Sequence, residues 1–258
     1  SDVKNKVRNT SSAAYLFLVI ITIILTCISI YFTIYFPVTE TDGVVHSSKG
    51  KLYYFQSAMN SSIDSYMYPQ YTPFVSLLTT YLFSYDLYVY KIFFPFYYLS
   101  LIMIFYYRLK EYTGNSEIAL IFTLILSTTP FLWWHSYLMF LNLVAGYYFS
   151  VATLYWFFLV KCLKHDDQTG SIKALSSYSL ISGIFYGFAL WAKLEFLIYF
   201  FIPLVMMIYL INGLPLKIRR HLFLLFTTPV IIISTAWSAF TLINFSESSD
   251  FIYEIVYM

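Results

Sequence analysis

Charge is what this chain lacks most. Only 11% of its 258 residues are Asp, Glu, Lys or Arg, while 60% are hydrophobic; an ordinary soluble domain carries about a quarter charged residues. There is too little polar surface to meet water on every side. Cysteine is almost absent as well. Cys27 and Cys162 both lie in or beside apolar segments, so neither a disulfide framework nor a thiolate metal site is expected. No Walker loop, GxGxxG turn, zinc-ligand spacing or nucleophile elbow occurs, which argues against a nucleotide-driven pump and a soluble-type hydrolase. The basic residues form small clusters and no stripe, so the net charge of +2 gives no sign of nucleic-acid binding. Also missing are a fixed-period repeat, low-complexity tracts and the ten-residue alternation of a membrane β-barrel.

What is present is apolar length. The mean hydropathy is +0.70, and the run Ala13–Phe36 contains no charge. About 20 apolar residues span a bilayer core, so the expected class is an all-α, polytopic membrane protein. That first run is too long for a signal-peptide core, and no small-residue cleavage site follows it. Further apolar segments lie at Tyr88–Tyr107, Ile118–Trp134, Met139–Val160, Tyr178–Ala192, Leu197–Ile211 and Leu222–Phe245. Tyr71–Tyr85 is shorter, with three Thr and two Ser among 15 residues.

The distribution of Lys and Arg decides whether that short segment crosses. If it does not, and Lys4, Lys6 and Arg8 are cytoplasmic, then Arg108, Lys110, Lys161, Lys164, Lys173, Lys217, Arg219 and Arg220 are all cytoplasmic too. If it does, Arg108, Lys161 and Arg219 fall outside, against the positive-inside rule. The expectation is therefore seven spanning helices, a cytoplasmic N-terminus and one large extracytoplasmic loop, about 37–86, carrying an interfacial helix. We treat 1–258 as one membrane module. Because the chain starts without Met and ends in "FIYEIVYM", a fragment lacking a C-terminal portion is expected.

The outer loop concentrates the scarce charges. Glu40 and Asp42 follow the first span directly, and a carboxylate there suits a general base acting on a hydroxyl or amine. Lys49 and Lys51 come next; a helix over Val44–Gln56 would set Asp42, His46 and Lys49 on one face. The plain alternative is a loop that is polar because it meets water. Lys193 and Glu195 interrupt an apolar stretch on the same expected side. Ionisable residues at membrane depth are costly and mark function, and a cation suits a lipid phosphate. Alternatively, a short turn places both in the headgroup zone. Asn142 opens the fourth span, where a polar residue serves either a site or helix packing.

Taken in order, these features resemble the GT-C superfamily of polytopic glycosyltransferases. The likeness is to the protein mannosyltransferase and aminoarabinose transferase branch and its uncharacterised prokaryotic relatives. Some relatives place an Asp after the first helix, an aromatic four residues on, then Lys-Ala-Lys; "DGVVHSSKGK" supplies Asp42, Lys49, Gly50 and Lys51, with His46 in the aromatic's place. "YPQYTPFVSLL" matches their Tyr-Pro-x-x-x-Pro element through Tyr68, Pro69 and Pro73, and "GIFYGFALWAKLEFL" keeps Gly183, Gly187, Lys193 and Glu195 of a Gly-x-x-x-Gly helix and its following turn. Departures are Asn142, where many relatives carry a second Asp, and Phe196 in place of Gly.

The resemblance implies inverting transfer of a sugar from a polyprenyl- or dolichyl-phosphate donor to a glycan, protein or lipid acceptor. It implies Asp42 as general base with Glu40 as understudy, and Lys193, Lys49 and Lys51 on the donor phosphate. His46, Tyr68, Glu195 and Asn142 would contact substrate. No resident cofactor is implied with assurance; a divalent cation is the one candidate, and no metal ligands are assigned. Two other classes stay open, a transporter or flippase-like protein for lipid-linked or small polar cargo and a non-catalytic scaffold subunit. A transporter predicts charged or broken helices at the midplane and an internal repeat, and neither is evident.

Overall fold

The structure is a computed structural model that describes residues 2–38, 41–56, 73–84, 91–164 and 172–245. All of the described secondary structure is helical: α1 (Asp2–Tyr35), α2 (Thr41–Gln56), α3 (Phe74–Phe83), α4 (Phe93–Thr113), α5 (Ser116–Ser127), α6 (Pro130–His135), α7 (Leu141–Lys164), α8 (Ile172–Ala192), α9 (Phe196–Ile211) and α10 (Leu216–Phe245).

Three of these helices are long and apolar enough to cross a membrane, with stretches at Tyr15–Tyr35, Leu141–Leu163 and Ile172–Ala192. Their surroundings fit that solvent. On α1, Leu16, Phe17, Ile23 and Ile24 are exposed while Thr22, Thr26, Ser29 and Thr33 are buried, the inverse of a water-facing helix. Thr26 and Thr33 return their hydroxyls to carbonyls four residues back, while the buried Thr22 hydroxyl has no hydrogen-bond partner among the described residues. The segment expected not to cross becomes α3, whose 10 residues rise about 15 Å, half of a roughly 30 Å hydrocarbon core.

The apolar run Ile118–Trp134 is not one helix, a correction to the sequence expectation. It divides into α5, of 12 residues, and the short α6. Pro130 opens α6 and holds Thr129 in an extended conformation, because the ring of a proline disfavours helical geometry in the residue before it. Between α4 and α5 the chain turns through Gly114, left-handed at φ 67°, which only glycine adopts at no steric cost. The Asn115 side chain then caps α5, accepting from the backbone N–H groups of Glu117 at 2.8 Å and Ile118 at 3.2 Å.

Helix α8 is central, packed between α7 and α10. Trp156 and Leu159 of α7, Tyr186 and Leu190 of α8, Met207 of α9 and Phe226 of α10 form the main core. The Gly183–Gly187 pair lets α10 approach closely. A Cβ at Gly183 would overlap the Phe226 carbonyl oxygen, and one at Gly187 would stand 3.0 Å from that of Pro229. Small residues at such crossings replace the hydrophobic drive that lipid does not supply. Side-chain hydrogen bonds add to it: Ser182 donates to the Ala152 carbonyl at 2.9 Å and Ser179 to that of Leu222 at 2.8 Å. On the other flank α4 packs against α1, α5 and α7, and α2 packs on α3.

Candidate functional site

The site begins where α8 ends. Lys193, Leu194 and Glu195 form a short turn into α9, with the Lys193 carbonyl accepting from the Phe196 N–H at 3.1 Å. The Lys193 side chain, 21% exposed, crosses to the first turn of α7. There its Nζ donates to Asn142 Oδ1 at 2.8 Å. Glu195 Oε2 lies 3.2 Å from the same nitrogen, with its side chain 75% exposed. Two of the three ammonium hydrogens are thus directed, and no third partner is found among the described residues. Lys193 and Glu195, expected as a pair from the sequence, and Asn142, expected apart from them, are brought together here.

Helices α2 and α3 cover this end of the bundle. Ala192, next to Lys193, packs in one cluster with Val75 of α3, Met139, and Leu141 and Val144 of α7. Pro73 is buried, and it delivers Phe74 onto the aromatic rings of α7 and α8. The Phe74 ring lies 4.9 Å from Trp191, 5.7 Å from Tyr148 and 6.0 Å from Phe188. At the start of α2, a Cβ on Gly43 would stand 3.0 Å from Met139 Cβ and 2.7 Å from Val38 Cγ1. The backbone of Asp42 therefore arrives beside the segment that leads into Asn142. Asp42 occupies the first turn of α2, while its side chain, Glu40 and Tyr68 lie outside the described residues.

The helix expected over Val44–Gln56 forms as α2, one turn longer at its start. Its two lysines diverge. Lys49 is fully buried, whereas Lys51 is exposed, with its Nζ 5.9 Å from the Phe83 ring. Residues two apart leave a helix on opposite faces, so a single phosphate does not meet both in this arrangement. His46 shares the buried face with Lys49. Its Nδ1 lies 2.9 Å from Ser76 Oγ, and burial, with a smaller effect of the Lys49 ammonium, lowers its pKa from 6.5 to about 3. His46 is thus a neutral imidazole that ties α2 to α3.

Sequence reasoning missed that seam. Thr80 Oγ1 donates to the Gly50 carbonyl at 3.1 Å and Thr79 Oγ1 to that of Ser76 at 2.8 Å. The signal was available as Ser76, Thr79 and Thr80, at i, i+3 and i+4 in an otherwise apolar helix. Also missed was Lys91, buried, with its Nζ donating to the Phe36 carbonyl just past the end of α1. A cation at a helix C-terminus meets both the open carbonyls and the negative end of the dipole.

Among the described residues no three His, Cys, Asp or Glu side chains converge as a metal site; the side chains of Glu40 and Asp42 are not among those described. Comparison with family models, curated proteins and solved structures returned no match.

Proposed function

We propose that this chain is an integral-membrane glycosyltransferase that takes its sugar from a polyprenyl-phosphate carrier on the extracytoplasmic side. In this reading the chain crosses seven times, with α2 and α3 forming the outer cover and the N-terminus in the cytoplasm. The observation that carries it is the Lys193 ammonium, held by Asn142 and Glu195 at one end of α7 and α8. A cation fixed at helix ends and only partly exposed is suited to a phosphate whose prenyl tail stays in lipid.

The chemistry is a single displacement. The acceptor oxygen or nitrogen attacks the anomeric carbon, the bond from that carbon to the phosphate oxygen breaks, and the configuration inverts. The acceptor's proton passes to the carboxylate of Asp42, whose neighbour Gly43 approaches Met139 at this end of the bundle. The negative charge left on the carrier phosphate is met by Lys193, the kind of fixed electrostatic partner that often contributes most to transfer reactions. Aromatic rings around Phe74 and Trp191 provide faces on which a sugar packs.

The test is transfer of labelled sugar in membranes that contain the protein. Asp42→Asn is expected to abolish transfer while leaving membrane abundance unchanged. Unchanged transfer in that variant would remove Asp42 from the reaction, and wild-type membranes without transfer from any polyprenyl-phosphate sugar would favour a transport or scaffold role.

A further inference from the structure

A second cleft lies at the opposite end of α4. It is an open groove of about 740 Å³, within the range of roughly 300 to 1,000 Å³ typical of ligand sites. Its walls change character along their length. Met103, Ile104 and Tyr107 form an apolar side, and Arg108, Lys110 and Tyr155 form the polar end. Arg108 is fixed. Its Nη1 donates to Glu111 at 2.7 Å and its Nη2 to the Tyr155 hydroxyl at 2.7 Å, with its guanidinium carbon 4.4 Å from the Tyr155 ring centre. Lys161 is fixed too, donating to the Tyr112 carbonyl at 2.8 Å.

Lys110 differs from both. It is exposed, forms no ion pair among the described residues, and only its Nζ lies near a ring, 5.9 Å from Tyr106. The lining therefore holds two cations and one carboxylate, and Glu111 already serves Arg108. One positive charge is left over, beside an apolar wall whose Met103 and Tyr107 are about half exposed.

We propose that this cleft binds the headgroup of an acidic phospholipid. The phosphodiester sits against Lys110 and the remaining N–H groups of Arg108, and the acyl chains run along Met103 and Tyr107. A free phosphate would satisfy the cations but leave the apolar wall unused, so the lipid is the source that the whole cleft fits. In the orientation proposed above this end faces the cytoplasm, where acidic lipids concentrate and basic pockets between helices collect them. The inference shares the membrane orientation of the reading above but not its transfer chemistry, and survives the failure of that chemistry.

The test is native mass spectrometry of the full chain from mixed phosphatidylglycerol and phosphatidylcholine micelles. Lys110→Gln is compared with Lys217→Gln, an exposed lysine at the start of α10. Wild type is expected to retain phosphatidylglycerol in preference, and Lys110→Gln to lose about fivefold in retention, the effect of one cation near a lipid surface. Lys217→Gln should match wild type, and added inorganic phosphate should not compete. Equal retention of the two lipids, an unchanged Lys110→Gln, an equal loss in Lys217→Gln or displacement by inorganic phosphate would each overturn the assignment.

Discussion

Lys193 Nζ donates to Asn142 Oδ1 across 2.8 Å, joining the turn after α8 to the first turn of α7. The bond fixes a cation whose position the sequence alone left floating in a headgroup zone. Because Asn142 is neutral, it positions the ammonium without adding to the negative charge of Glu195, already 3.2 Å from Lys193 Nζ. Asn142→Asp would supply a second carboxylate and place Lys193 between two ion-pair partners. Polyprenyl-phosphate affinity should then fall about five- to tenfold, the weight of a charge-assisted contact of roughly 1 to 1.5 kcal/mol. Asn142→Ala should lose less, and titration of a fluorescent polyprenyl phosphate distinguishes the two.

The proposed topology has a direct chemical readout. Lys51 and Lys110 are both exposed, so each position accepts a reporter cysteine in a chain whose Cys27 and Cys162 are replaced by Ser. Lys51→Cys should react with an impermeant maleimide added to intact cells. Lys110→Cys should react only after permeabilisation. Reaction of both from outside would mean that α3 crosses, and the outer-loop reading would be abandoned.

Burial of His46 makes stability depend on pH in a stated direction. Its folded pKa, about 3, is below its ordinary value of 6.5, so between these values the unfolded chain binds a proton that the folded chain refuses. Stability from this residue is unaffected above pH 6.5 and declines as pH falls toward 3, by at most about 1.4 kcal/mol per pH unit. His46→Asn, which keeps a polar atom for Ser76, should flatten the fall in melting temperature between pH 6.5 and pH 4. An equal slope in both proteins would place the sensitive group elsewhere.

Two glycines should respond oppositely to the same substitution. At Gly183 an added methyl meets the Phe226 carbonyl, part of a backbone, and α10 must move away. Gly183→Ala should cost about 1 to 3 kcal/mol, as overpacking does. Nothing lies within 4 Å of a Cβ at Gly146. Gly146→Ala should leave the melting temperature unchanged or raise it, because alanine loses less entropy than glycine in a helix. Melting temperatures measured in one detergent compare them.

The helical character of the chain and its apolar helices of membrane-spanning length were legible because runs such as Ala13–Phe36 are long and uninterrupted, and the shortness of α3 followed from Tyr71–Tyr85 alone. The break before Pro130 was legible in principle, since proline restrains its predecessor, but run length outweighed it. Burial was harder to read. The polarity of the outer loop suggested water, yet Lys49 is inside and Lys51 outside, because α2 and α3 pack through Gly50, Ser76 and Thr79 and no composition rule reports a helix pairing. The Lys193–Glu195 pair and Asn142 were visible as polar residues in apolar surroundings; their convergence depends on α7 beginning beside the end of α8, which only the packing reveals.

The central claim is that Lys193 holds a lipid-linked phosphate and that Asp42 acts on the acceptor. The most direct measurement is equilibrium binding of a polyprenyl-phosphate sugar to the purified protein, wild type against Lys193→Ala and Asp42→Asn. The account predicts binding by wild type, a loss of about tenfold or more in Lys193→Ala, and near-normal binding without transfer in Asp42→Asn. Absence of binding in wild type, or affinities that neither substitution changes, would contradict it.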